Sequence, residues 1–186
     1  MKTELTLQLE RDIWMTTHKQ GVFCCFEVTI GWFGNERVDY MTYDTNGIWR
    51  CYEIKVSKSD FHSDNHNTFV GHYNYYVMPQ ELYKQVKEEI PNYIGVYCDG
   101  GCVKKAKKRP LRETEYVLKN SFIRCLYREA EKVIKSKNPT VMEDLKRKFS
   151  QELSEAKKKA DEYYRKYWNL MRIGQEKYGS RWYKEE

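Results

Sequence analysis

Three runs rich in β-branched and aromatic residues, 22–32, 36–43 and 48–57, follow one another with only two turns between them, Gly34-Asn35 and Asp44-Thr45-Asn46-Gly47. A crossover between parallel strands takes about a dozen residues, so connections this short force an antiparallel meander. Strand-like stretches at 72–79 and 93–98, and a last one near 102–105, extend it. Helical patterns at 4–18 and 80–90 interrupt it, and residues 58–71 are polar, a short helix or an irregular lid. The order is α-β-β-β-α-β-α-β-β, an α/β or α+β domain ending near Pro110.

Beyond Arg112 the pattern changes to helix. One helix is expected over 113–136, ended by Asn138-Pro139, and a second over 140–174. In the second, Met142, Phe149, Ala156, Tyr163 and Leu170 fall seven apart, and Leu153, Ala160 and Tyr167 form a parallel row. Such a stripe either packs back on the preceding helix or forms a coiled-coil homodimer or a protein-binding arm. The domains expected are therefore a core over 1–112 and a helical extension over 113–186.

Charge follows the same division. Residues 1–100 hold nine Lys/Arg against fourteen Asp/Glu, and residues 101–186 hold twenty-four against thirteen. A basic C-terminal part points to a polyanion such as DNA, or to an ordinary solvated helical surface. The densest run, Lys104, Lys105, Lys107, Lys108, Arg109 and Arg112, suits a nucleic-acid backbone, and Lys58 is a further phosphate contact to weigh. No stretch reaches the roughly 18 apolar residues of a membrane span, and the N-terminus lacks a signal-peptide core. A cytoplasmic location with no membrane partner is expected. The six cysteines then read as free thiols. Cys98 and Cys102 alone approach metal-ligand spacing, without a second pair to complete a zinc site.

The chemistry concentrates in "CYEIKVSKSDF", residues 51–61. On a strand, Cys51, Glu53, Lys55 and Ser57 share one face while Tyr52, Ile54 and Val56 share the other, the better core face. The Asp44–Gly47 sequence suits a type I turn with glycine left-handed, a three-residue loop. Such a loop pairs Asp44 with Ile48 and sets Asp39 opposite Glu53. A two-residue Asn46-Gly47 loop would set Asp39 opposite Ile54 instead. Two facing carboxylates repel unless a cation lies between them, and oxygen donors suit Mg²⁺ or Mn²⁺. Glu27, in the first strand, would add a third acid. The plainer alternative is a cross-strand salt bridge to Lys55. His62, His66 and His72 stand near the motif as loop or strand-edge residues, or as phosphate contacts.

An acid, a β-hairpin and then Glu53-Ile54-Lys55 on such a scaffold resemble the PD-(D/E)XK nuclease superfamily, of restriction-endonuclease-like fold. Val38-Asp39 stands in the "PD" place. The run "EIKVSKSDF", then "HYNYYVMP" and "IGVYCDGG", is similar to the MmcB-like branch, associated with DNA repair. The resemblance covers about 1–112. It implies a restriction-endonuclease-like αβββαβ core with a mixed central sheet, and Mg²⁺-dependent hydrolysis of DNA phosphodiester bonds. Asp39, Glu53 and the Ile54 carbonyl would hold the metal, and Lys55 would be the catalytic lysine. Glu27 matches the upstream acid of many members, with Glu10 its competitor, and Asp60 matches an acid that follows the motif. The alternative is a nuclease-fold module that binds DNA or a protein without cleaving.

Overall fold

In the computed structural model, which describes residues 2–34, 36–63 and 67–179, the chain divides into two compact units, Met1–Ala130 and Glu131–Glu186. The first begins with α1 (Glu4–Thr17), capped by the Thr3 hydroxyl, which accepts from the Thr6 N–H. There follow β1 (Val22–Thr29), β2 (Arg37–Asp44), β3 (Trp49–Ile54), α2 (Lys58–Phe61), β4 (Tyr73–Val77), α3 (Gln80–Val86), β5 (Gly95–Cys98) and β6 (Gly101–Lys104). The helix α4 (Glu115–Lys137) starts in the first unit, and α5 (Pro139–Tyr178) belongs to the second. The protein is thus α+β, with a long C-terminal helix. Among the described residues no helix is long and apolar enough to cross a membrane.

The six strands form one mixed sheet in chain order, β1-β2-β3-β4-β5-β6. The short connections make β1/β2, β2/β3 and β5/β6 antiparallel, and the longer ones through α2 and α3 make β3/β4 and β4/β5 parallel. Turn chemistry fixes the β2–β3 register. The Gly47 N–H donates to the Asp44 carbonyl at 2.9 Å, and the Asp44 N–H donates to the Ile48 carbonyl at 3.1 Å. Gly47 sits at φ +78°, where a side chain would be strained. Asp44 Oδ1 accepts from the N–H groups of Asn46 and Ile48. This is the three-residue loop. Its register runs from Tyr43↔Trp49 to Tyr40↔Tyr52, and one step further Asp39 stands opposite Glu53.

Both faces of the sheet are covered. On one, Leu9 and Ile13 of α1 pack on Tyr40, Tyr52, Ile54, Tyr75 and Val77. On the other, Leu118, Phe122 and Cys125 of α4 pack on Met41, Trp49 and Cys51. Beside them, Leu82 and Val86 of α3 pack on Tyr76, Val96 and Cys98. Glu53 lies on this second face, two residues from Cys51 in one cluster and paired in the ladder with Tyr76 of the other.

Two expectations change. Alternation along residues 51–57 suggested one core face and one open face, yet Cys51, Glu53 and Lys55 are as buried as Tyr52 and Ile54. The reason is position: β3 lies mid-sheet, under helices on both sides. The domain boundary also moves from residue 112 to Ala130, because the first part of α4 completes the core over β1–β3. The second unit consists of the end of α4 and α5, which Asn138 caps by accepting from the Thr140 and Val141 N–H groups. Exposed pairs such as Glu162–Lys166 and Arg172–Glu176 line α5 at helical spacing.

Candidate active site

The group at the finishing end of β3 is built from two strands and the loop after them. Asp39 is half-buried near the start of β2, and its Oδ2 accepts from the Ile54 N–H at 2.9 Å. Glu53 is 5% exposed, and its Oε1 accepts from the Thr68 N–H at 3.2 Å. Burial, reinforced by the neighbouring Asp39 carboxylate, pushes the Glu53 carboxyl up to about 8. The Thr68 N–H and Lys55 oppose that rise with smaller effect. At neutral pH, with no cation bound, Glu53 therefore holds its proton.

Lys55 is also 5% exposed. Its Nζ donates to the Asp60 carbonyl at 3.3 Å. Asp60 holds this turn in two further ways: its Oδ2 accepts from the Val56 N–H at 2.9 Å, and its N–H donates to Ser57 Oγ, the cap of α2. Asp60 thus orders the backbone after Lys55 and gives its ammonium an acceptor. Ile54 contributes only backbone to the group, since its side chain packs in the α1 cluster. Lys58, first in α2, is exposed at the same end of the sheet.

Glu27 does not join these residues. It breaks the β1–β2 ladder at φ +54°, and its carboxylate pairs with Lys2 at 2.7 Å and Arg37 at 3.7 Å. The Lys2 hydrogen bond holds its pKa below the usual glutamate value. Glu10, its competitor, bonds the same Lys2 ammonium. A lysine at the N-terminus has thus taken both upstream acids.

The basic run is also placed elsewhere. Lys104 Nζ donates to the carbonyls of Ile90 and Pro91. The backbone N–H groups of Lys107 and Arg109 bond the carbonyls of Tyr93 and His72, the residues leading into β5 and β4. Both strands run parallel to β3, so Lys104, Lys105, Lys107, Lys108 and Arg109 lie at the sheet's other end from Glu53 and Lys55. His72 is there too, its Nδ1 accepting from the Trp49 N–H. His62 is bonded to Glu89, and His66 lies outside the described residues.

The sequence offered no sign of Asn67 and Thr68, which sit in a stretch with no periodic pattern. Thr68 is fully buried and holds Glu53, while Asn67 Nδ2 donates to the Tyr76 hydroxyl. Asn67 Oδ1 and Thr68 Oγ1 are buried without a hydrogen-bond partner. Two juxtaposed carboxylates, with the Glu53 carboxyl pushed up by burial and by Asp39, are oxygen donors of the kind that suits a small hard cation. Among the described residues no group of three or more His, Cys, Asp and Glu side chains is placed to hold a metal. A cation here would rest on Asp39, Glu53, backbone carbonyl and water oxygens.

No family model matches the chain, and no curated protein matches it. Among solved structures it is similar to the SPO1766 protein of unknown function from Silicibacter pomeroyi, with a TM-score of 0.58 and 17% identity over 75% of this chain and 96% of that one. At that identity the likeness concerns the fold alone.

Proposed function

We propose that the protein is a divalent-metal-dependent nuclease of the restriction-endonuclease-like fold, hydrolysing DNA phosphodiester bonds in DNA repair or processing. The observation that carries the reading is the meeting of Asp39 and Glu53 across the β2–β3 hairpin with Lys55 beside them. A buried acid and lysine at the end of a central strand, with a half-buried acid across from them, are costly to keep, and stability alone gives no reason for them. The resemblance of Asp39 and Glu53-Ile54-Lys55 to the PD-(D/E)XK pattern names the chemistry.

When bound, Mg²⁺ or Mn²⁺ supplies charge to a phosphoryl oxygen and acidity to a water. Asp39, oriented by the Ile54 N–H, and Glu53, oriented by the Thr68 N–H, would hold that cation. Glu53 must first release its proton. Lys55, kept in place by Asp60, offsets negative charge that develops on the phosphate. Burial of Glu53 and Lys55 excludes bulk water from around them and strengthens each of these interactions.

A second reading has one observation in its favour: Asp39 already accepts from the Ile54 N–H, and no third side-chain ligand is gathered among the described residues. In that reading the same scaffold binds DNA or a protein without cleaving. The test incubates the protein with linear, circular and single-stranded DNA, in EDTA or in Mg²⁺ or Mn²⁺, beside Glu53→Ala and Lys55→Ala. Metal-dependent cleavage lost in both variants supports the nuclease. Absent cleavage, or cleavage unchanged in both, rejects it.

A further inference from the structure

The β1–β2 connection presents two aromatic rings to solvent: Trp32 is 75% exposed and Phe33 is 100% exposed. The loop that carries them is tightly built. The Ile30 N–H donates to the Glu36 carbonyl at 3.0 Å and closes its base. Gly31 stands at φ +73°, and a Cβ at Gly34 would lie 1.8 Å from the Ile30 carbonyl oxygen. Helix α4 holds the loop from below. Ser121 Oγ accepts from the Gly31 N–H at 2.9 Å, and the Arg124 guanidinium donates to the carbonyls of Thr29 and Gly31 at 2.9 and 2.6 Å. The same guanidinium lies 4.9 Å from the Trp32 ring centroid. Two glycines, a buried serine and an arginine thus hold in place a loop whose largest side chains touch almost nothing.

The location gives these rings a use. In the meander, the finishing end of β1, the starting end of β2 and the finishing end of β3 lie at one end of the sheet. That end carries Asp39, Glu53, Lys55 and Lys58. Glu36 is three residues before Asp39, roughly 10 Å along the strand at about 3.3 Å per residue. The charged side chains beside the loop are Arg124 against Trp32, Arg37 paired with Glu27 and Arg112 paired with Glu36. The Arg37–Glu27 and Arg112–Glu36 pairs are exposed, so they are weakly held in water and phosphate can exchange for the carboxylate. An exposed aromatic face backed by an arginine, with further exposed arginines at the base of the same loop, is a pattern by which proteins hold unpaired nucleobases.

We infer that Trp32 and Phe33 form a stacking platform for unpaired bases, so that the substrate of the proposed site is DNA with a single-stranded segment next to the scissile phosphate. The inference rests on the nuclease reading for its location and is tested apart from it, by binding in EDTA. Fluorescence anisotropy would follow a labelled oligothymidylate of about 20 nucleotides, and a blunt duplex of the same length, against wild type, Trp32→Ala, Phe33→Ala and Trp32→Phe. Each alanine variant is expected to weaken single-strand binding about 10-fold or more. Trp32→Phe, which keeps a ring, should stay within about 3-fold of wild type. Thermal unfolding is expected to be unchanged in both alanine variants.

No single-strand binding by wild type, alanine variants that bind as wild type, or equal losses on strand and blunt duplex would each overturn the inference. So would sedimentation showing that Trp32→Ala dissociates a wild-type dimer, because the rings would then be a protein contact. Ring-dependent binding without cleavage leaves the platform standing and removes the nuclease. Cleavage with binding indifferent to the rings does the reverse.

Discussion

Replacing Glu53 with glutamine is expected to stabilise the cation-free protein at neutral pH. The Glu53 carboxyl keeps its proton up to about 8 in the folded chain, against 4.5 for an ordinary glutamate. Between those values the unfolded chain ionises and the folded chain does not, so this group costs stability progressively as pH rises from 4.5 towards 8. At pH 7 about 2.5 pH units have been crossed, at about 1.4 kcal/mol each, which is about 3–4 kcal/mol. Glutamine has the shape of the protonated acid and can still accept from Thr68 and donate to Asp39, so it removes the titration and little else. The assay is urea unfolding in EDTA at pH 5, 6, 7 and 8 for both proteins. The two should differ by no more than about 1 kcal/mol at pH 5, by about 3–4 kcal/mol at pH 7 and reach a plateau above pH 8. A difference that does not change with pH, or a variant less stable than wild type at pH 7, would refute the claim that Glu53 is a buried, protonated acid beside Asp39.

If the proposed site takes Mg²⁺, the ion has to displace that proton, so its binding by calorimetry at pH 7 should release close to one proton per ion and strengthen about tenfold per pH unit below 8. Two buffers of different ionisation enthalpy would show this, and a pH-independent affinity would count against metal at Glu53. Gly47→Ala forces a side chain into the left-handed region at the turn that sets the register, and should cost about 1–2 kcal/mol in thermal or urea unfolding. Phe122→Ala removes a buried ring that meets Trp49 edge-on at 5.6 Å and should cost about 3–5 kcal/mol. A chain ending after residue 130 should unfold cooperatively, whereas one ending after residue 112 loses Leu118, Phe122 and Cys125 and should show no cooperative transition by circular dichroism.

What could be read in the sequence was local. Asp44 to Gly47 carries its own turn chemistry, and that turn alone sets the β2–β3 register and hence the Asp39–Glu53 pairing. The meander was legible because its connections are too short for anything else, and the α+β class followed from element order. The burial of Glu53 and Lys55 was not legible, since a strand's alternation says which side chains share a face and not what covers it.

Long-range contacts decided the rest. Glu27 was drawn off by Lys2, a residue no motif connects to it. The basic run after Lys104 was carried to the far end of the sheet because β4 and β5 run parallel to β3, a fact of topology and not of composition. Thr68 reached Glu53 from a stretch without any periodic pattern, and the first part of α4 joined the core because the face over β1–β3 was otherwise bare. The sequence by itself thus determined the turn and the β2–β3 pairing that brings Asp39 opposite Glu53, because hydrogen bonds within a few residues dictate that turn. Only the tertiary structure decided the environment that sets their charge, since desolvation and proximity to other ions depend on segments that meet through folding.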